Sequence, residues 1–291
     1  MVKLEIDICI PYIGVGINLL EKQIENFIQL SSGKNKLNFK VSYHTQEDLD
    51  ILQKSAIYEF ISETVHAQKC EKNVPYANSV NHTNALNKLY SICSSEICVF
   101  TDYDMYFLMH DWDKEIISEL NKGNFILGVN YKPRFRSIKQ FTGMDLYARH
   151  YQKLPNLSFM CFKILEIKKY LPFKLSDFDE ISNLQNFTPF VFINTEELQH
   201  TYQMDYGEVL WLDTGYEIPK IIYKHNLSFK VINLSEKNLI TGDIIRSQQE
   251  SEFFLLNDKN FLAHYKKGTY KSSKKNDDFD KFYQDIQHLI N

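Results

Sequence analysis

Glu96-Ile97-Cys98-Val99-Phe100-Thr101-Asp102-Tyr103-Asp104 is a short apolar run that ends in two carboxylates one residue apart. Ile97 to Phe100 carries no charge and is rich in β-branched and aromatic types, the makeup of a strand covered on both faces inside a parallel sheet. Side chains alternate along a strand, so past its end Asp102 and Asp104 turn to one side and Tyr103 to the other. The carboxyl ends of parallel strands are where open α/β sheets bind ligands. Paired carboxylates suit hard divalent cations such as Mg2+ and Mn2+, which often share their coordination with a phosphate. The run therefore predicts a metal and phosphate site at the edge of a parallel sheet.

The flanking sequence supplies the rest of such a sheet. Ile6 to Pro11 reads as a first strand, and the glycines at 14 and 16 turn the chain into a helix near Asn18 to Leu30, with Leu19, Leu20, Ile24, Phe27 and Ile28 at helical spacing. Leu37 to His44 alternates as a second strand. Glu47 to Phe60 is helical or irregular, and Pro75 to Cys93 is a helix with Ala77, Val80, Leu86, Leu89 and Tyr90 as its apolar positions. Downstream, His110 to Lys122 reads as a helix stopped by Gly123, and Phe125 to Tyr131 as a strand. This β, α, β, α, β order predicts a mostly parallel sheet with right-handed crossovers. The second half is less regular: a basic loop at Lys132 to Lys139, an apolar segment from Leu157 to Leu171, and a helix-like stretch from Thr214 to His225. With no repeat and no low-complexity linker, one continuous domain over 1–291 is expected, and Lys266 to Asp280 reads as part of a tail.

Composition narrows the class. The 291 residues are 44% hydrophobic and 24% charged, enough apolar mass for a sizeable core. A formal net charge of −4 gives no electrostatic case for nucleic acid, although Lys266 to Lys275 is locally basic. No apolar segment reaches the roughly 18 residues needed to span a bilayer, and the first residues lack a signal-peptide core, so a cytoplasmic protein is expected. Five cysteines without a Cys-x-x-Cys pair read as reduced thiols. The Asn-x-Ser/Thr triplets at Asn156 and Asn226 carry little weight without a secretion signal.

Asn84-Ala85-Leu86-Asn87, then the strand ending at Asp102-Tyr103-Asp104, then Trp112-Asp113 opening the next helix, together resemble nucleotide-sugar-dependent glycosyltransferases of the GT-A fold, especially family 2-like enzymes. A second match lies at Leu212-Asp213-Thr214-Gly215-Tyr216-Glu217-Ile218, similar to the family's Glu-Asp-Thr-Glu motif. The order and spacing of these matches, over roughly residues 5 to 235, carry the resemblance. It implies a Rossmann-like, mostly parallel central sheet flanked by helices. Residues 1–131 would form the nucleotide-sugar half and 132–265 a less regular acceptor-binding half, with a tail at 266–291.

Carried over by position, the resemblance puts Thr101, Asp102, Tyr103 and Asp104 at the donor, with Asp102 and Asp104 on Mn2+ or Mg2+ and the donor's ribose and diphosphate. Pro11, Tyr12 and Ile13 match the start of the nucleotide pocket, Thr45 to Asp48 the loop that contacts the base, and Asn84 a donor-side ligand. Phe261-Leu262-Ala263-His264-Tyr265 resembles the strand end that supplies a histidine ligand in some members, which makes His264 a third metal ligand. Asp213 aligns with the base that takes a proton from the acceptor hydroxyl in inverting members. Leu212 stands where the family has its first acid, which leaves Glu217, Asp205 or Glu208 as alternative bases. The activity implied is metal-dependent transfer of a sugar from a nucleoside diphosphate, UDP first among them, to a glycan or glycoconjugate hydroxyl.

Several residues also have plainer readings. Asp213 is equally an N-cap for the helix that follows, and Lys132, Arg134 and Arg136 either close on a diphosphate as forked cations or form a solvated loop. Tyr12, Tyr131 and Trp211 are candidates to stack on sugar or base. His82, His110 and Trp112 read as packing or capping residues, and a lone histidine such as His264 is often structural. The rival activities are a sugar nucleotidyltransferase, a phosphatase with an Asp nucleophile, and a carbohydrate-binding protein without turnover. The first needs a basic glycine-rich loop after the first strand, and Pro11-Tyr12-Ile13-Gly14-Val15-Gly16 has no Lys or Arg. The second places its acid pair after the first core strand, whereas here a βαβα region comes before it.

Overall fold

A computed structural model describes residues 3–70, 77–131, 135–171, 190–212, 214–244, 251–265 and 276–291. Its elements in chain order are β1 (Glu5–Pro11), α1 (Ile17–Leu30), β2 (Lys36–Tyr43), α2 (Gln46–Lys54), β3 (Ile61–His66), α3 (Ala77–Ile92), β4 (Ile97–Thr101), β5 (Met105–Phe107), α4 (Trp112–Asn121) and β6 (Ile126–Val129). There follow β7 (Phe135–Ser137), α5 (Lys139–Thr142), β8 (Tyr147–Arg149), β9 (Asn156–Lys163), α6 (Ile164–Lys168), β10 (Phe190–Phe192), α7 (Glu196–Tyr202) and β11 (Val209–Trp211). The last are α8 (Glu217–His225), β12 (Phe229–Leu234), β13 (Glu252–Leu256), β14 (Lys259–His264) and α9 (Asn276–Gln287).

β1 and β4 are buried on both faces, which is why they read as unbroken apolar runs. Ile6, Ile8 and Ile10 of β1, with Ile97 and Val99 of β4, face a core shared with α1, α4 and α9. Cys9, Cys98 and Phe100 face the opposite core, shared with α3, α6 and α8. Helices thus cover both faces of a ten-stranded sheet in the order β3-β2-β1-β4-β9-β6-β12-β13-β14-β5. A second sheet, β10-β11-β8-β7, is built wholly from the irregular half.

The predicted parallel unit is present: β3, β2, β1 and β4 run parallel, with Ile6 opposite both Leu37 and Ile97. The sheet then turns mixed. β9 enters antiparallel between β4 and β6, so the apolar stretch from Leu157 divides into a central strand and the short α6. β6 and β12 restore a parallel pair, and β13, β14 and β5 close the sheet antiparallel. β3 escapes prediction because it is an edge strand whose Ser62, Glu63 and His66 are exposed, leaving no apolar alternation to see.

α1 carries two polar residues on its buried face, and they build the segment that follows β4. Asn26 accepts from the Phe107 amide at 2.7 Å and donates to the Phe107 carbonyl at 3.1 Å. Gln23 Nε2 donates to the carbonyls of Asp102 at 2.6 Å and Met105 at 2.9 Å. These amides satisfy backbone groups that leave the ladder as the chain turns at Asp102, and a buried backbone group left unpaired costs about 1–3 kcal/mol. Trp112 locks the next turn: it is fully buried, stacks on Phe107 with ring centroids 4.2 Å apart, and donates its indole N–H to Phe27 O. Such a stack adds about 0.5–1.5 kcal/mol beyond the area it buries.

Candidate active site

Asp102 lies one residue past β4, its amide donating to Ser158 O of β9 at 2.9 Å. The chain turns there, and β5 pairs antiparallel with β14 so that Met105 faces His264. The Tyr265 amide donates to Asp104 O at 2.9 Å. That register brings together residues 160 positions apart in sequence, near the end of β4 and at the end of β14. One donor atom from each of Asp102, Asp104 and His264 falls within 4.8 Å of the others.

His264 Nε2 is 3.1 Å from Asp104 Oδ1, and its Nδ1 is 3.2 Å from Glu252 Oε2 on the neighbouring β13. A carboxylate on one ring nitrogen fixes the orientation of the imidazole and raises the basicity of the other, an arrangement common behind histidine metal ligands. Asp104, His264 and Glu252 are buried, and Asp102 is partly open to solvent. Two hard carboxylates with one borderline imidazole form a donor set that fits Mn2+ better than Mg2+.

α3 flanks Asp102. His82 Nε2 is 3.0 Å from Asp102 Oδ1, while its Nδ1 is 3.3 Å from Thr214 Oγ1. Thr214 Oγ1 also lies 3.5 Å from Thr83 Oγ1 and from Ser79 O. The chain at Thr214 is therefore seated on the face of α3 that meets the acid pair. Asp213 itself, and Arg134 and Lys132, lie outside the described residues.

His82 is the site neighbour that sequence reading assigns to packing or capping. Nothing in its spacing marks it, because its partner Asp102 is brought up by the sheet. Glu252 is likewise unmarked in the sequence, since only its pairing opposite His264 gives it meaning. Gln23 was hidden as a polar residue within an apolar helical face.

The other predicted donor-side residues lie at the end of β1 and just after it, at the start of α2, on α3 and at the end of β4. Pro11 ends β1, and the Tyr12 amide donates to Ser42 O. Tyr12 is fully buried and meets Tyr103 edge-on with centroids 6.4 Å apart, while its hydroxyl donates to Gly14 O. Ile13 is half-buried against the same core. Thr45 caps α2 in a reciprocal capping box with Asp48. Asp48 also accepts from the amides of Gly14 at 2.7 Å and His44 at 3.2 Å, joining the first two loops. Asn84 donates to Gln68 O in the chain after β3. Thr101 is buried at the strand end.

Tyr103 turns away from the acids, as the alternation predicts, into the core beside Gly16. A Cβ built on Gly16 would lie 2.4 Å from Tyr103 Cε2. Gly16→Ala is expected to lower stability by about 1–3 kcal/mol, as overpacked cores do. A denaturant melt checks this, and an unchanged midpoint would mean that Tyr103 moves freely.

Two of the three alternative bases, Glu208 and Glu217, are otherwise engaged, while Asp205 is exposed in the chain between α7 and β11. Glu208 takes a forked pair of bonds from Arg149 at 2.7 and 2.5 Å, which hold its carboxyl below the ordinary range. Glu217 pairs with Lys220 at 2.7 Å. Arg136 stands on β7 with its guanidinium 4.8 Å from the Trp211 ring centroid, and Tyr131 stacks on His150. Among the described residues no helix is long and apolar enough to cross a membrane.

No protein-family model matches the chain, and no curated protein matches it. Solved structures do. One is the mannosyltransferase PcManGT from Pyrobaculum calidifontis in complex with GDP-Man and Mn2+, 15% identical with a TM-score of 0.40, covering 59% of this chain and 47% of that one. Another is mouse xyloside xylosyltransferase 1 in its apo form, 10% identical with a TM-score of 0.43, covering 79% and 85%. A third is the galactosyltransferase LgtC with donor and acceptor sugar analogues, 11% identical with a TM-score of 0.43, covering 78% and 73%. The chain spans about half the length of the first of these.

Proposed function

We propose that the chain transfers a sugar from a nucleoside diphosphate, UDP first among them, to an acceptor hydroxyl. The observation that carries this reading is the convergence of Asp102, Asp104 and His264 at the carboxyl end of β4, with Glu252 behind the histidine. In the reaction a bond forms from the acceptor oxygen to the anomeric carbon, and the bond from that carbon to the diphosphate oxygen breaks. The diphosphate leaves with the electron pair. Asp102, Asp104 and His264 would hold a divalent cation, which would supply positive charge to that leaving group. Asp104 and His264 bind from a buried position, Glu252 orients the imidazole, and Gln23 holds the Asp102 turn in place. Asp213 takes the acceptor proton, on the family match alone. Its neighbour Thr214 is tied through His82 to Asp102, which supports a base on the same side of the site.

One observation disfavours a nucleotidyltransferase. The Gly14 amide after β1, where such an enzyme would cradle phosphate, is already bonded to the Asp48 carboxylate. An acid at that place repels a phosphate instead of binding it.

Calorimetry with UDP tests the donor site: binding is expected with Mn2+ and lost on its removal. Absence of binding with Mn2+ present would sink the reading. Hydrolysis of nucleotide sugars without acceptor separates an enzyme from a carbohydrate-binding protein, which gives none. Asp213→Asn is expected to keep UDP binding while turnover falls by about 10²-fold or more. Full turnover in that variant moves the base elsewhere.

A further inference from the structure

We infer that Cys9, Cys93 and Cys98 form a second metal site, built for a thiophilic cation such as Zn2+ or Cu+, at the opposite end of β4 from Asp102. Cys98 and Asp102 are four positions apart along the chain, a span of about 13 Å. The three thiols come from three elements. Cys9 is in the middle of β1, Cys98 is the second residue of β4, and Cys93 follows the end of α3. Asp7 stands opposite Cys98 in the parallel register, so Asp7, Cys9 and Cys98 share one face of the sheet, the face that α3 covers.

The sulfurs converge. Cys9 Sγ and Cys93 Sγ are 3.1 Å apart, and the Sγ atoms of Cys93 and Cys98 lie within 4.8 Å of each other and of an Asp7 carboxylate oxygen. Cys9 and Cys98 are fully buried and Cys93 is nearly so. Buried cysteines commonly serve as small apolar fillers. Here the sulfurs instead lie against a buried carboxylate, Asp7, with Lys40 Nζ 3.3 Å from it. Soft thiolates select Zn2+ and Cu+ over the hard cations suited to Asp102 and Asp104.

The charges suit the same assignment. Thiol ligands bind as thiolates, so the sulfurs would release their protons as the cation binds. Lys40 offsets part of the resulting negative charge. A cation there would tie β1, β4 and the end of α3 together, and so fix the helix that presents His82 to Asp102.

The test is titration of the reduced full chain with Cd2+, a spectroscopic stand-in for Zn2+, and separately with Cu+. Each ion is added both to the folded protein and during refolding. Expected for at least one ion is one equivalent bound per chain with sulfur-to-metal charge-transfer absorption, which carboxylate sites do not give. Cys93→Ala and Cys98→Ala should each lose that absorption while keeping the circular dichroism of the fold, and Cys161→Ala should keep both. A wild type that shows no such absorption with either ion, or a Cys93→Ala variant that retains it in full, overturns the site.

Discussion

Asp104→Ala is expected to lower metal-dependent turnover of a nucleotide sugar by about 10³-fold or more, equivalent to about 4 kcal/mol of transition-state stabilisation. Asp104 is the larger of the two carboxylate effects for a structural reason. It is buried, and its Oδ1 faces His264 Nε2 at 3.1 Å, whereas Asp102 is partly solvated and has His82 as a second neighbour. On the proposed reading, removing Asp104 takes away the metal ligand that solvent replaces least well. Glu252→Gln leaves all three proposed ligands in place but weakens the orientation of His264, so metal affinity should fall by about 10–100-fold. Raising Mn2+ is then expected to restore turnover in Glu252→Gln but not in Asp104→Ala. Equal rescue of both variants by Mn2+ would mean that Asp104 is not a ligand.

The part of this site that the sequence displays is the part encoded locally. Asp102 and Asp104 follow an apolar run, and a strand end fixes where their side chains go. His264 was reachable only through a family likeness, because its place beside Asp104 depends on β5 pairing with β14, and β5 is three residues long. Glu252 and His82 had no local signal at all. Both owe their roles to register and helix docking, which single-sequence periodicity does not carry. The same limit applies to the sheet. Its parallel half follows from β, α alternation, but the antiparallel entry of β9 between β4 and β6 requires a return of the chain through the second sheet. Gln23 and Asn26 make the converse point: two amides on a buried helical face look like flaws in an amphipathic pattern until the carbonyls they meet are known.

Asp7→Ala is expected to destabilise the fold by about 3–5 kcal/mol, measured by denaturant unfolding in the presence of a chelator. Asp7 accepts from the amides of Ser94 at 2.8 Å and Ser95 at 3.0 Å and from the Ser95 hydroxyl at 2.6 Å, just beyond α3. Lys40 Nζ lies 3.3 Å from its carboxylate and donates to Ile92 O at 2.6 Å, placing a cation at the helix C-terminus where the dipole favours one. Truncating Asp7 takes the nearer carboxylate from that buried ammonium, leaving it Glu63 at 3.4 Å, and strips the Ser94 and Ser95 amides of their acceptor, which is the costly way to break such a pair. Asp7→Leu combined with Lys40→Met removes both charges and should cost less than Asp7→Ala alone. A double variant that is the less stable of the two would show that the ion pair contributes more than its desolvation takes away. The pH dependence follows from the same contacts. Burial opposes ionisation of Asp7, but the Ser95 hydroxyl, the Ser95 and Ser94 amides and Lys40 outweigh it, so the folded carboxyl titrates below its ordinary value. Its contribution is therefore complete above about pH 5, where the unfolded carboxyl is already ionised, and is lost as the pH falls through the lower folded value. Wild-type stability should drop with acid in that window, and Asp7→Asn should show a shallower fall. An equal slope in both would remove Asp7 from the acid response and return the end of α3 to its apolar contacts alone.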